Sequence, residues 1–169
     1  MGLSNAISGG IVMFGMTYLV FTFVGLFDDS AIYSDISSTR AELENKMLKT
    51  SIDVTINNPP GTDNTFSFEI TNTNSEKLWD FENFDVIITY DSSGTTYTET
   101  MTYNTACPPV SGEWCIKTWT NDVLDPEILN DGESVTVDTE VNYNLQSNHD
   151  LVIIVSTSNG VVASATTVV

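Results

Sequence analysis

The first 27 residues, Met1 to Phe27, carry no charged side chain, whereas all 23 acidic and all five basic residues follow them. Apolar or small residues dominate from Ile7 to Phe27, and about 20 such residues allow a helix to cross roughly 30 Å of hydrocarbon. A secretory signal peptide fits less well, because no Lys or Arg precedes the run and no Ala-x-Ala follows it. The sequence therefore predicts a retained helix in an apolar medium.

This apolar helix needs a cover on every side, and the rest of the chain offers no other helix to provide it. Only a bilayer or further copies of the same helix can do so. Small residues recur at four-residue spacing, as at Ala6 and Gly10, and such steps let helix backbones approach closely. The residues predicted to lie in the membrane or in a filament core are Ile7, Gly10, Ile11, Phe14, Gly15, Tyr18, Leu19, Phe23 and Leu26.

The helix is expected to continue beyond the apolar run as a charged stalk. Neither Pro nor Gly interrupts Leu26 to Ser51, and apolar residues from Ile32 to Met47 recur at helical spacing among charged ones. About 50 residues would make a rod of roughly 75 Å, which is longer than a bilayer is thick. We therefore assign residues 1–50 to the helix and its stalk.

After Thr50 the pattern changes to alternation of apolar and polar residues, with turn residues between short strands. About eight strands fit into residues 51–169, and no helical window separates them. This pattern predicts one all-β head domain, an immunoglobulin-like sandwich of about eight antiparallel strands. Asn159-Gly160 is its strongest hairpin signal.

Cys107 and Cys115 are the only cysteines, and both lie in one short connection that also contains Pro108, Pro109 and Gly112. This context favours a disulfide that closes the loop in an oxidising compartment. Two reduced, buried thiols are the alternative. A metal site is not indicated, because the spacing is not CxxC and the lone histidine, His149, is distant in sequence.

The net charge of −18 argues against nucleic acid as a partner, because the head has only Lys77 and Lys117 to contact phosphates. Acidic residues occur in nearly every loop, and solvation of the surface is the simpler interpretation. The alternative is calcium binding in one acid-rich loop, although its spacing matches no EF-hand. The candidate calcium ligands are Asp122, Asp125, Glu127, Asp131 and Glu133.

No motif in the chain indicates catalysis. GxSxG, HExxH and P-loop patterns are absent, so the sequence predicts a protein that is not an enzyme and needs no cofactor. His149 is interpreted as a turn residue. Trp79, Phe81 and Phe84 would form an aromatic binding patch if exposed, but a sandwich of this size usually buries such residues in its core.

The order of parts resembles the FlaF-type accessory proteins of the archaeal flagellum, the archaellum. The resemblance rests on Met1-Gly2-Leu3-Ser4 before the apolar helix, on Glu69 to Leu78 followed by Phe84 to Thr89, on Ile128 to Val137, and on Val155 to Val161. The last two segments are also similar to the related FlaG proteins. The resemblance implies a motility protein of the archaeal cell envelope. Its helix would sit in the cytoplasmic membrane, and its extracellular head would contact the S-layer or other archaellum proteins.

The main alternative is a subunit of an archaellum or of a type IV pilus-like filament, which shares the plan of apolar helix and β-rich head. In that case copies of the N-terminal helix would pack together in the filament core instead of contacting lipid. The lack of a basic leader ending in Gly and the Asn at position 5 favour the accessory protein. A membrane-tethered hydrolase is a third hypothesis, but no residues support it.

Overall fold

The computed structural model describes the backbone of residues 2–56 and 60–169, and it describes side chains throughout these ranges except at residues 2–6 and 24–32. One helix precedes eight strands in the described part of the chain. The elements are α1 Gly2–Lys49, β1 Ile52–Thr55, β2 Thr65–Asn72, a short 3-10 helix Phe81–Asn83, β3 Asp85–Ser92, β4 Thr95–Tyr103, β5 Glu113–Thr120, β6 Ser134–Glu140, β7 Asp150–Ser156 and β8 Val162–Val168. The chain divides into two compact units, Met1–Glu44 and Asn45–Val169.

Helix α1 is continuous, in agreement with the predicted single helix. An ion pair one turn apart, between Arg40 and Glu44 at 3.6 Å, lies on its charged part. Lys46 and Lys49 occupy the last turn, where positive charge complements the helix dipole. The predicted membrane-spanning character is not confirmed. Among the described residues, no helix meets the length and apolarity required to cross a bilayer.

The last turn of α1 belongs to the second compact unit, which supplies partners for its terminal carbonyl groups. The Glu76 N–H donates to the Lys49 carbonyl at 3.0 Å, and the Asn74 side-chain amide donates to the Leu48 carbonyl at 3.2 Å. The Thr50 hydroxyl donates to the Lys46 carbonyl and accepts from the Asn159 amide. Because the last carbonyls of a helix have no partner within the helix, these bonds fix where α1 ends.

The eight strands form one strongly bent sheet with the order β1-β2-β6-β5-β4-β3-β7-β8. Strands β1 and β8, at the two ends of this order, lie close to each other, so the domain is a sandwich that approaches a barrel. The predicted eight-stranded β domain is therefore confirmed.

The expectation that every strand pair is antiparallel is wrong at one place. The ends of β4 and β5 pair in parallel, through Thr102 with Glu113 and Tyr103 with Trp114. The loop of residues 104–112 carries the chain back beside the end of β4, so β5 starts in the direction in which β4 was running. Gly112 takes a φ of +85° at the end of this loop, a conformation that side chains with a Cβ rarely adopt.

The two hairpins β3–β4 and β7–β8 have different turns. Ser93 and Gly94 both have positive φ and join β3 to β4 in a two-residue turn. The predicted Asn159-Gly160 hairpin joins β7 to β8, but its loop is longer and is closed by the Thr157 N–H donating to the Val161 carbonyl at 2.9 Å. Both connections are short, so strands that follow each other in the sequence are also neighbours in the sheet.

The core lies between the two halves of the bent sheet and follows the alternation seen in the sequence. In β2 and β6, Phe68 faces Val137 and Ile70 faces Val135 across the ladder. All four of these side chains are essentially inaccessible to water. Burying side chains of this kind stabilises a fold by about 1.5–3 kcal/mol each. The other half contributes the buried residues Val86, Ile88, Tyr90, Leu151, Ile153 and Val155.

Candidate assembly surface

The most unusual surface of the molecule is the apolar segment, defined here as residues 7–23 of α1. Its large side chains are more than half exposed and point to every side of the helix, with Phe14 at 76% and Phe21 at 72%. A single soluble chain seldom exposes a continuous apolar surface of this length, and such surfaces mark contacts with other proteins or with lipid. The predicted core-helix residues with this exposure are Ile7, Ile11, Phe14, Tyr18, Leu19 and Phe23. Leu26 lies outside the residues whose side chains are described.

The glycines of the apolar segment leave room for a neighbouring backbone. A Cβ atom built on Gly9, Gly10 or Gly15 would meet nothing within 4 Å in the single chain. Gly costs roughly 1 kcal/mol relative to Ala in a helix interior, and no contact within the described part of the chain accounts for three glycines here. Close approach of a second helix is the usual use of such small positions.

Two hydroxyl groups of the apolar segment are hydrogen-bonded within the helix. The Thr17 hydroxyl donates to the Met13 carbonyl at 2.8 Å, and the Thr22 hydroxyl donates to the Tyr18 carbonyl at 2.8 Å. A hydroxyl bonded in this way enters an apolar environment at little cost, because it leaves no unpaired donor behind. Thr17 and Thr22 therefore do not oppose burial of the apolar segment.

Cys107 and Cys115 form a disulfide with their Cα atoms 5.8 Å apart. The bond ties the exposed loop that follows β4 to β5, where Cys115 is fully buried. It closes the same connection that reverses the chain before the parallel pairing of β4 and β5. Reduced, buried thiols, the alternative interpretation of the sequence, are therefore not what the structure contains.

Replacing Cys107 by Ser should lower the free energy of unfolding by about 2–3 kcal/mol, because the open chain gains the entropy that closing a loop of this size removes. Cys107 is the better of the two positions, since its side chain is exposed and the hydroxyl remains in water. Thermal melts of the oxidised protein and of the variant measure the difference. Reduced wild-type protein should melt like the variant, and equal melting of the oxidised pair would show that the bond does not stabilise the head.

The five candidate calcium ligands do not converge. No group of three or more Asp, Glu, His or Cys side chains able to hold a metal occurs among the described residues. Asp125 pairs with Lys77, and Asp122 accepts a hydrogen bond from the Glu127 N–H at 3.3 Å. Glu127 and Asp131 are exposed to solvent.

Glu133 has a structural role in the same loop. Its buried carboxylate accepts from the Asn130 N–H at 2.8 Å and from the Asn130 amide at 3.0 Å. Burial raises the pKa of Glu133, but these bonds, together with those from the Val123 and Leu124 N–H groups, outweigh it and lower the pKa below its ordinary value. The carboxylate organises the turn before β6.

His149 is more than a turn residue. Its Nδ1 lies 2.7 Å from a carboxylate oxygen of Asp91, and its Nε2 lies 2.9 Å from the amide nitrogen of Gln146. Hydrogen bonds from Thr96 and from His149 lower the pKa of Asp91. The network holds the β3–β4 turn against the loop before β7, and Gln146 completes it by accepting from the Gly94 N–H at 2.7 Å.

The three aromatic residues considered from the sequence separate into two environments. Phe81 and Phe84 are buried, and their ring centroids lie 5.0 Å apart. Trp79, by contrast, is 66% exposed. It lines a surface depression together with the partly buried rings of Tyr103 and Trp119. Trp119, the second tryptophan of this depression, lies on β5, and no motif in the sequence singles it out.

No protein-family model and no curated protein sequence matches the chain. Comparison of structures does find relatives of its fold. The archaeal flagellum of Methanospirillum hungatei strain JF1 aligns with 100% of this chain and 93% of its own, at a TM-score of 0.59 and 14% identity. The archaellum periplasmic stator protein FlaG of Sulfolobus acidocaldarius aligns with 70% of this chain and 99% of its own, at a TM-score of 0.50 and 19% identity.

The stator protein complex of FlaF and FlaG from Sulfolobus acidocaldarius is also similar, over 68% of this chain and 87% of its own, with a TM-score of 0.48 and 19% identity. The alignments with the stator protein FlaG and with the Methanospirillum flagellum confirm, for the fold, the expected resemblance to archaellum proteins of the FlaF/FlaG type. These neighbours are structural components of archaella. The likeness to the flagellum extends over helix and strands together, whereas the likeness to FlaG leaves part of this chain unmatched.

Proposed function

We propose that this protein is a structural subunit of an archaellum-like filament, in which the apolar segments of many copies pack together in the core. The observation that carries the proposal is the exposure of large apolar side chains on every side of residues 7–23. A helix of this kind is stable in water only when other apolar surfaces cover all of its faces. The whole-chain likeness in fold to the Methanospirillum flagellum supports the same arrangement.

Copies of the segment are suitable partners for one another. Gly9, Gly10 and Gly15 allow close approach of backbones, while aromatic and aliphatic side chains fill the remaining space. The internally bonded Thr17 and Thr22 add no unpaired donor to such a core. Self-association through α1 therefore makes use of the glycine positions and leaves the hydroxyl groups of Thr17 and Thr22 hydrogen-bonded.

In this proposal the β domain forms the outer surface of the filament, outside the cell. The net charge of −18 keeps such a surface hydrated and prevents side-by-side aggregation. The disulfide is consistent with an oxidising location. The proposed role requires no catalysis and no cofactor, and motility follows from assembly with other archaellum proteins.

A second candidate is an accessory protein of the FlaF/FlaG type, anchored in the cell envelope with a head that contacts the S-layer. The fold shared with 99% of the stator protein FlaG favours it. In that role a low copy number is sufficient, and lipid rather than neighbouring subunits would cover the apolar segment.

Fractionation of cells that produce the protein distinguishes the two roles. A filament subunit is expected as a major component of extracellular filaments removed by shearing, at a copy number that scales with filament length. An anchored accessory protein stays with detergent-solubilised membranes, and its head retains S-layer protein on an affinity column. Recovery only from membranes, at a few copies per filament, would overturn the filament proposal.

A further inference from the structure

The head carries an aromatic cleft, defined here as the depression around Trp79, Phe81, Tyr103 and Trp119. It consists of two adjoining openings of about 260 and 370 Å³ that share Trp79, Phe81, Tyr103 and Thr105 in their walls. The floor is Phe81, which is 5% exposed and lies with its ring centroid 5.7 Å from that of Trp119, in an edge-to-face arrangement. Trp79 stands at the rim and is 66% exposed.

The walls of the cleft are fixed by the fold. Tyr103 ends β4 and packs with a tilted ring against the fully buried Trp114, with ring centroids 4.7 Å apart. Trp119 lies on β5, and Phe81 belongs to the short 3-10 helix. Three separate elements thus hold the aromatic faces in place, so a ligand would meet a preformed surface.

All formal charge at the cleft is negative. Asp80 and Glu82 line one opening and Glu127 lines the other, and no Lys, Arg or His lines either one. Within the described part of the chain, the carboxylates of Glu82 and Glu127 make no hydrogen bond or salt bridge with a side chain. The nearby bases are engaged elsewhere, since Lys77 pairs with Asp125 and Lys117 pairs with Asp138 at 2.8 Å.

The carboxylates of Glu82 and Glu127 lie close enough to the aromatic rings to affect them electrostatically. Burial raises the pKa of Tyr103, and the negative charges of Glu127 and Glu82 raise it further. The negative potential of both carboxylates therefore extends over the aromatic wall of the cleft. An exposed tryptophan face beside carboxylates attracts a cation through the ring quadrupole and through charge together.

We propose that the aromatic cleft binds an arginine side chain presented by a partner protein. A guanidinium group is planar, stacks on aromatic faces and is more weakly hydrated than an ammonium group, so it suits a cleft of aromatic walls. Its N–H donors match the carboxylates of Glu82 and Glu127, which otherwise lack partners. The proposal concerns the head alone and holds for a filament subunit as well as for an anchored protein.

The test uses the full-length chain in a non-ionic detergent and blocked arginine, N-acetyl-arginine amide, as the probe. Blocked citrulline is the matched control because it has nearly the same shape and no charge. Binding is followed by NMR through the indole N–H signals of Trp79 and Trp119, at constant ionic strength. We expect arginine to shift both signals and citrulline to bind more weakly by about tenfold.

The double variant E82Q/E127Q should weaken arginine binding by about tenfold, whereas D53N/D63N, which removes two exposed charges elsewhere, should leave it unchanged. W79A should reduce binding without disturbing the fold, because its side chain is mostly exposed. Equal binding of arginine and citrulline, shifts confined to other parts of the protein, or full affinity in E82Q/E127Q would each overturn the proposal. If a variant fails to fold, the comparison of blocked arginine with blocked citrulline on the wild-type protein still tests the proposal through the indole signals of Trp79 and Trp119.

Discussion

Replacing Phe14 by Glu is expected to abolish filament formation while leaving the β domain folded. Phe14 is 76% exposed in the single chain, so the substitution removes little packing within the subunit. In a filament core, however, each copy would bury a carboxylate without a partner, and an uncompensated buried charge costs several kcal/mol. Electron microscopy of sheared material and the amount of the chain in that fraction measure the effect.

The matched control for this variant is Ser38→Glu, which adds the same charge to an exposed position on the charged part of the same helix. It should assemble normally. Because the β domain is a separate compact unit, far-UV circular dichroism of both variants should show the strand signal of the wild-type protein. Normal filaments from F14E would contradict burial of this segment between subunits.

Gly15→Leu tests the geometry of the same packing rather than its polarity. Nothing lies within 4 Å of a Cβ at this position in the single chain, so the variant fits the isolated subunit without a clash. A shortened or absent filament would therefore report a neighbouring helix at close range. Met16→Leu, which changes an adjacent side chain of similar size, should be tolerated.

Periodicity explains why most of the fold was predictable from the sequence. Alternation in segments such as Phe66-Ser67-Phe68 places every second side chain in the core, and burial follows the same pattern in β2, β3, β6 and β7. The uninterrupted stretch from Leu26 to Ser51 likewise predicted a continuous helix. Both features depend only on residues that are close in the sequence, so the sequence alone is sufficient to predict them.

Features that depend on distant partners were not predictable. The parallel pairing of β4 with β5 depends on the path of the loop of residues 104–112. The alternation of apolar and polar residues is the same for parallel and antiparallel strands, so it does not indicate the direction of a strand relative to its neighbour. Asp91 and His149 are separated by 58 residues, and no spacing rule links them. Trp79 and Phe81 are two residues apart, yet Trp79 is exposed and Phe81 is buried, because Phe81 packs against rings from distant strands, those of Tyr103 and Trp119.

Trp114 is a fully buried core residue, and the stability of the β domain is expected to depend strongly on it. Replacing it by Ala should lower the free energy of unfolding by about 3–5 kcal/mol, because a fully buried indole leaves a large cavity. The substitution also removes the ring contact with Tyr103, which forms a wall of the aromatic cleft. Thermal melts followed by the strand signal in circular dichroism measure the change.

Trp114→Phe separates the contribution of ring packing from that of the indole N–H. This N–H is buried and has no hydrogen-bond partner among the described residues, so phenylalanine removes an unsatisfied donor while keeping most of the ring. We therefore expect a loss of about 1–2 kcal/mol, well below that of the alanine variant. Trp79→Ala, at an exposed tryptophan, should change stability by less than about 0.5 kcal/mol. A similar loss from W79A and W114A would contradict the burial of Trp114 in the core, since burial is what distinguishes the two positions.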